Sequence, residues 1–234
     1  MNKKVFTVCF STVFISMICI AVWQICFNHI NYYLASMLIL MISLVPFFAL
    51  FEIKKTTSRE VTLIAVLITL AVVSRTAFYL VPQVKPMGAV VILSAICLGA
   101  ERGYIVGAFS AFISNFIFGQ GFWTPFQMVA FGTVGLCAGL IFKFVKANRI
   151  TMPVIGFLLI FVFYGLIVDF STILMTYGNN LSMSSILSIY MSGAPFNAVF
   201  GLSTAVFLFI LGEPFIKKLD RVNTKYALIN NKNI

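Results

Sequence analysis

The sequence predicts an all-α integral membrane protein of eight spans, with both termini in the cytoplasm. Three observations carry this. Of the 234 residues, 61% are hydrophobic and only 9% charged, whereas soluble domains carry about 25% charged residues. The apolar residues fall into runs near the length a bilayer demands, about 20 residues per helix. The basic residues sit between those runs rather than in one patch, so the net charge of +10 describes membrane topology and not a nucleic-acid surface. The runs leave no room for a separate soluble domain.

In chain order, residues 5–27 form the first span, behind Lys3 and Lys4. The run is long, lacks a small-x-small cleavage site and is followed by a second span at 31–51, so it is read as an uncleaved anchor. The short link between the two holds His29, the only histidine, read as solvated. A charged connector, Glu52 to Glu60, closes an N-terminal unit of two helices, residues 1–60.

The third span, 61–81, contains Arg75 and ends at Val81-Pro82. Apolar runs at 87–100 and 103–118 are split by Glu101-Arg102-Gly103. As one helix this stretch would be about 48 Å long at 1.5 Å per residue, too long for a bilayer. As two short helices it gives eight spans and places 14 of the 16 Lys and Arg on the cytoplasmic side, the positive-inside pattern. The sixth span is 125–142, with Pro125 suited to a first helical turn. The seventh is 152–175. A long polar outer connection, Thr176 to Met191, includes a serine-rich segment expected to form a short interfacial helix. The eighth span is 193–213, and 217–234 is a basic polar cytoplasmic tail, mobile from Asp220 onward.

Two features mark the stretch from Gly103 to Leu140. Gly103, Gly107 and Ala111 recur every fourth residue, as do Gly135 and Gly139, and small residues at that spacing let helix backbones approach closely in lipid. Between the two runs lies the loop Gly119-Gln120-Gly121-Phe122-Trp123-Thr124-Pro125.

On this topology the polar side chains gather in the outer third of the membrane. Arg75, Asn115, Gln127, Asp169 and Asn197 lie there within spans, and Lys85, Gln120, Trp123, Thr124, Tyr177, Asn179 and Asn180 lie in or beside outer loops. Buried polar groups in hydrocarbon need partners or a ligand. One-sided polarity therefore describes a cup open to the exterior. Arg75 and Asp169 are the expected ion pair within it, although Arg75 could instead snorkel to headgroups, Trp123 could be an interfacial anchor, and Asn115 and Gln127 could bond only across helices.

Several chemistries are missing from the sequence. No Walker A motif, HExxH or GxSxG occurs, and only Asp169 among the six acids sits deep in a span, so no carboxylate pair is set up for acid–base work. The five cysteines lie in or beside apolar runs with no CxxC or Cys/His spacing, which points to neither a disulfide framework nor a metal site. The chain is read as a non-enzyme that binds no cofactor of its own.

From Val61 to Leu140 the sequence resembles the substrate-binding S components of energy-coupling factor (ECF) vitamin transporters. The resemblance rests on LIAVLITLAVVSR, on VVILSAICLGAERGYIVGAFSAFISNFIFG and on GQGFWTPFQMVAFGTVGLCAG. It implies a six-helix substrate-binding core, here 61–216, with the two N-terminal helices as an addition. It implies a bacterial plasma-membrane protein that takes a vitamin or cofactor precursor from outside. Its partners would be a membrane coupling subunit and two ATPase subunits, which use the ATP. The overall look is nearest to members associated with cobalamin or its precursors. The ligand would lie among Arg75, Asn115, Gln120, Trp123, Thr124, Gln127, Asp169, Tyr177 and Asn197. Docking on the coupling subunit would use a small-residue face of the first core helix, for which Ala65, Thr69 and Ala71 are the nearest match. A competing reading is a ligand-free scaffold of the cell envelope, which accounts for the small-residue seams but not for the polar outer third.

Overall fold

The computed structural model describes residues 57–177 and 182–226, together with the helical positions Leu38 and Met41. Apart from those two positions, the expected spans at 5–27 and 31–51 lie outside the described residues, as do His29, Asn179 and Asn180.

Between residues 57 and 226 the described residues form six helices and no strand. These are α1 (Ser58–Ala77), α2 (Met87–Leu98), α3 (Ala100–Phe118), α4 (Thr124–Ile141), α5 (Thr151–Tyr177) and α6 (Met183–Tyr226). Four of them, α1, α4, α5 and α6, are long and apolar enough to cross a membrane. The sequence predicts six spans over the same stretch. The difference lies in α2, whose 12 residues reach about 18 Å, roughly half a bilayer core, and in α3, which opens on Glu101 and Arg102.

The first helix starts where its chemistry says it should. Thr57 caps α1, its Oγ1 accepting from the Glu60 amide at 3.3 Å, the first half of a capping box. The Glu60 carboxylate then turns to Arg102 on α3 and forms a 2.5 Å ion pair. Two adjacent helix starts are thereby tied at one end of the bundle.

The break between α2 and α3 falls at Gly99 and not at Glu101-Arg102-Gly103. Gly99 has φ 92°, a conformation that L side chains rarely adopt. Glu101 and Arg102 instead form the first turn of α3. Gly103 is a packing residue, facing Ala95 of α2 and the backbone of Gly135 on α4. The most extensive helix pairing is α3 with α4. A Cβ at Gly107 would collide with the Phe131 carbonyl, and one at Gly135 with the Gly103 carbonyl. The expected small-residue seam is therefore a backbone-to-backbone contact.

Leu159–Tyr164 in α5 is a π-helical turn between two α-helical halves. The 44-residue α6 runs through Pro195 and Pro214. This corrects the sequence reading of a separate interfacial helix, a span at 193–213 and a mobile tail from Asp220. The serines do not break the helix because they are satisfied along it: Ser182 Oγ accepts from the Ser185 amide at 3.1 Å, and Ser188 and Ser192 donate back to Ser185 and Ile189 carbonyls. α5 and α6 run antiparallel, with Gly156 beside Leu208, Gly165 beside Asn197 and Gly193 beside Asp169.

The core is built on α2, buried at nearly every position, with α3 and α4 wrapped against it. In α1, Leu63, Ile64, Leu67, Ala71 and Val72 face inward, while Val66, Leu70 and Val73 are exposed.

Candidate functional site

The sequence-predicted residues form two polar clusters, and the boundary between them differs from the expected one. In the first, Arg75 Nη1 donates to Ser114 Oγ at 2.5 Å and to Asn115 Oδ1 at 3.0 Å, both on α3. Its guanidinium lies over the Phe118 ring, 4.3 Å from the centroid, within cation–π range. The Asn115 amide passes the network to α4, donating to Thr124 Oγ1 at 3.1 Å and Gln127 Oε1 at 2.9 Å. Thr124 Oγ1 donates to Gln120 Oε1 at 2.9 Å and accepts the Gly121 amide. Gln120 Nε2 reaches back to the Phe112 carbonyl at 3.0 Å.

This network makes the loop between α3 and α4 rigid through its own side chains. Asn115 is 1% exposed with both ends of its amide engaged, and Thr124 is 3% exposed. These two hold the site in place. Gln120 is exposed and turned onto its own loop. Trp123 lies against Gly121 and meets Phe122 edge to face, with centroids 5.2 Å apart. Arg75 and Gln127 are the partly exposed members of the network.

The second cluster joins α5 to α6. Asn197 Nδ2 donates to Asp169 Oδ2 at 2.8 Å. Each partner sits against a glycine of the opposite helix, Asp169 against Gly193 and Asn197 against Gly165. The expected Arg75–Asp169 ion pair is therefore not formed: Arg75 bonds to α3 and Asp169 to α6. The physical reason is that each already has a short polar partner on the helix it packs beside, so neither has to reach across the bundle. Tyr177, at the end of α5, joins neither cluster.

Residues that the sequence reading did not single out lie between the clusters. Tyr164, Phe131 and Phe200 form a three-ring group, with Tyr164 4.8 Å from Phe131 and 4.9 Å from Phe200 between centroids. Tyr164 lies in the electrostatic range of both Arg75 and Asp169. It belongs to the π turn of α5, and in a chain with 26 phenylalanines no spacing marks these three rings out. Lys85 is the other addition. Its amide donates to Ser203 Oγ on α6 at 3.1 Å, which straps the α1–α2 loop across the bundle. Its ammonium donates to the carbonyls of Phe78, Tyr79 and Val81 and lies 5.3 Å from the Phe118 ring. Burial first, and the nearby Arg75 charge second, hold its pKa below the ordinary lysine value.

On α1, Ala65 and Thr69 lie on the exposed face, and the Thr69 hydroxyl is tied back to the Ala65 carbonyl at 2.9 Å. Ala71 is fully buried. It packs into the core and is not part of an exposed docking face, because two residues along a helix turn it about 200° from Thr69.

Phe131 and Phe200 are buried, at 2% and 3% exposure, and pack with Tyr164 as part of the core; the polar groups that the arrangement presents are the Arg75 network and the Asp169–Asn197 pair. No curated protein and no solved structure matches the chain significantly. The family model described as "ECF-type riboflavin transporter, S component" matches residues 55–221. That match takes in all of α1 to α5 and most of α6, and names riboflavin where the sequence had suggested a cobalamin-type ligand. The chain belongs to the ECF-type riboflavin transporter S-component family.

Proposed function

We propose that the protein captures riboflavin or a closely related flavin from outside the bacterial plasma membrane and delivers it by docking on a membrane coupling subunit with two ATPases. The observation that carries this reading is the family match over residues 55–221, with Arg75, Asn115, Gln127 and the Asp169–Asn197 pair as the polar groups within it. An isoalloxazine ring is flat and aromatic, with imide and carbonyl groups along one edge. A guanidinium, an amide and a carboxylate supply partners for its edge and ribityl hydroxyls. The ATP belongs to the partner subunits. The exposed Ala65–Thr69 face of α1 is the proposed contact with the coupling subunit, since small residues permit close helix approach.

The test is to purify the protein in detergent and titrate riboflavin while following quenching of flavin fluorescence. Low-micromolar or tighter binding, weakened by Asn197→Ala, is expected. A protein that neither carries nor binds any flavin, with a different compound identified by mass spectrometry, would overturn the ligand assignment.

A further inference from the structure

We propose that Arg75 and Lys85 form an anion subsite at the edge of this ligand site, and that the preferred flavin is one carrying a phosphate monoester. The inference deepens the flavin reading and rests on it for the identity of the ligand, though not for the subsite itself.

Both cations lie against one ring, Phe118, at 4.3 and 5.3 Å from its centroid. Among the described residues the carboxylate at this end of the bundle is Asp169, which is held by Asn197 on the α5–α6 side. Glu60, Glu101, Glu213 and Asp220 lie at the starts of α1 and α3 and in the second half of α6, toward the opposite end. Two like charges are therefore gathered beside the site, and neither forms a salt bridge with Asp169.

The negative end of the α1 dipole accounts for Lys85 but not for Arg75. The three donors of the Lys85 ammonium go to the carbonyls of Phe78, Tyr79 and Val81, just beyond the end of α1. Arg75 bonds to no carbonyl there. Its Nη1 is fixed by Ser114 and Asn115, and among the described residues the opposite edge, Nε–H and Nη2–H, has no hydrogen-bond partner. Neither nitrogen is among the sealed, unbonded polar side-chain atoms, which are Ser110 Oγ, Thr133 Oγ1 and Thr204 Oγ1. Among the described residues, then, neither nitrogen is sealed. A guanidinium clamped on one side and open on the other presents two parallel donors, the geometry that binds a phosphate in a bidentate way. A phosphate monoester carries about −1.5 to −2 charges at neutral pH, matching one guanidinium and one ammonium.

The experiment compares riboflavin with riboflavin 5′-phosphate on the purified protein, in wild type, Arg75→Gln and Arg75→Lys, and adds thermal unfolding in inorganic phosphate against chloride at equal ionic strength. The wild type is expected to prefer the phosphate ester by about tenfold or more, the scale of one charge-assisted bond. Arg75→Gln should bring the ratio of the two affinities close to one. Arg75→Lys, which keeps the charge but not the fork, should fall between, and it serves as the variant if Arg75→Gln does not fold. Equal or tighter binding of riboflavin by the wild type overturns the proposal, as does an unchanged ratio in the variants. If neither flavin binds, the flavin reading fails and inorganic phosphate decides the subsite. Stabilisation of the wild type but not of the Arg75 variant then upholds it, and no phosphate-specific stabilisation overturns it.

Discussion

Asn197 on α6 donates to the carboxylate of Asp169 on α5 at 2.8 Å, and the two are seated reciprocally: Gly193 of α6 makes room for Asp169, and Gly165 of α5 makes room for Asn197. The pair can form only because both helices lack a side chain where the other inserts. Gly193→Ala should therefore displace the carboxylate, since the new methyl would sit 2.5 Å from Oδ2. We expect a lower melting temperature and weaker ligand binding together. Asn197→Ala, which removes the donor without crowding, should cost about 1–3 kcal/mol. Thermal unfolding and ligand titration of both variants check this.

Arg75 and Asp169 should behave independently. Each has partners of its own, so the stability losses of Arg75→Ala and Asp169→Ala should add to within about 0.5 kcal/mol in the double variant. Coupling is expected instead between Arg75 and Asn115. A melting-temperature cycle over both pairs reads this directly, and a partial recovery of stability in the Arg75/Asp169 double variant would contradict the geometry.

The α3–α4 seam has no slack. Gly107→Ala places a methyl against the Phe131 carbonyl, and backbone cannot rotate away as a side chain would. A loss of about 1–3 kcal/mol is expected, with helix content retained by circular dichroism. The expected contrast is Gly119→Ala. Nothing lies within 4 Å of its added Cβ, so only its φ of 101° opposes the change.

Substitutions along α1 should separate docking from folding. Thr69→Trp and Ala65→Leu alter the exposed face and should prevent co-purification with the coupling subunit while leaving ligand affinity within about twofold, as expected for surface changes. Ala71→Leu should instead lower the melting temperature, since that site is fully buried. Normal assembly of the Thr69→Trp protein would move the contact to another surface.

Much of the core was legible in the sequence because membrane helices are written in long apolar runs and their ends in charge and proline. Pro125 does open α4, and the Asn115–Gln127 contact follows from two amides placed near facing helix ends. The sequence could not show which amide contacts a ligand and which holds the loop, because that depends on Thr124 and Gln120 closing the network. Nor could it place Gly99 as the break: a polar pair such as Glu101-Arg102 advertises a turn more loudly than a glycine does. Arg75 and Asp169 were the deepest charges, and pairing them was reasonable on charge alone. The deciding residues, Ser114 and Asn197, are uncharged and common. The continuity of α6 was hidden by its prolines, which favour a break, and by its serines, which find bonding partners along the helix.

The π turn at Leu159–Tyr164 has a consequence for how the molecule tolerates change. A π turn acts as about one extra residue within an α-helix. It therefore sets the phase of Gly165–Tyr177 relative to Thr151–Leu158. Turning Leu159–Tyr164 into regular α-helix at unchanged length would rotate everything beyond them by roughly 100°. Gly156 could still meet Leu208, while Asp169 would swing off Gly193 and Asn197. Deleting one residue within the turn would instead remove the surplus and bring Asp169 back to them, so the wide turn, and not the length of the helix, carries the alignment of its far half.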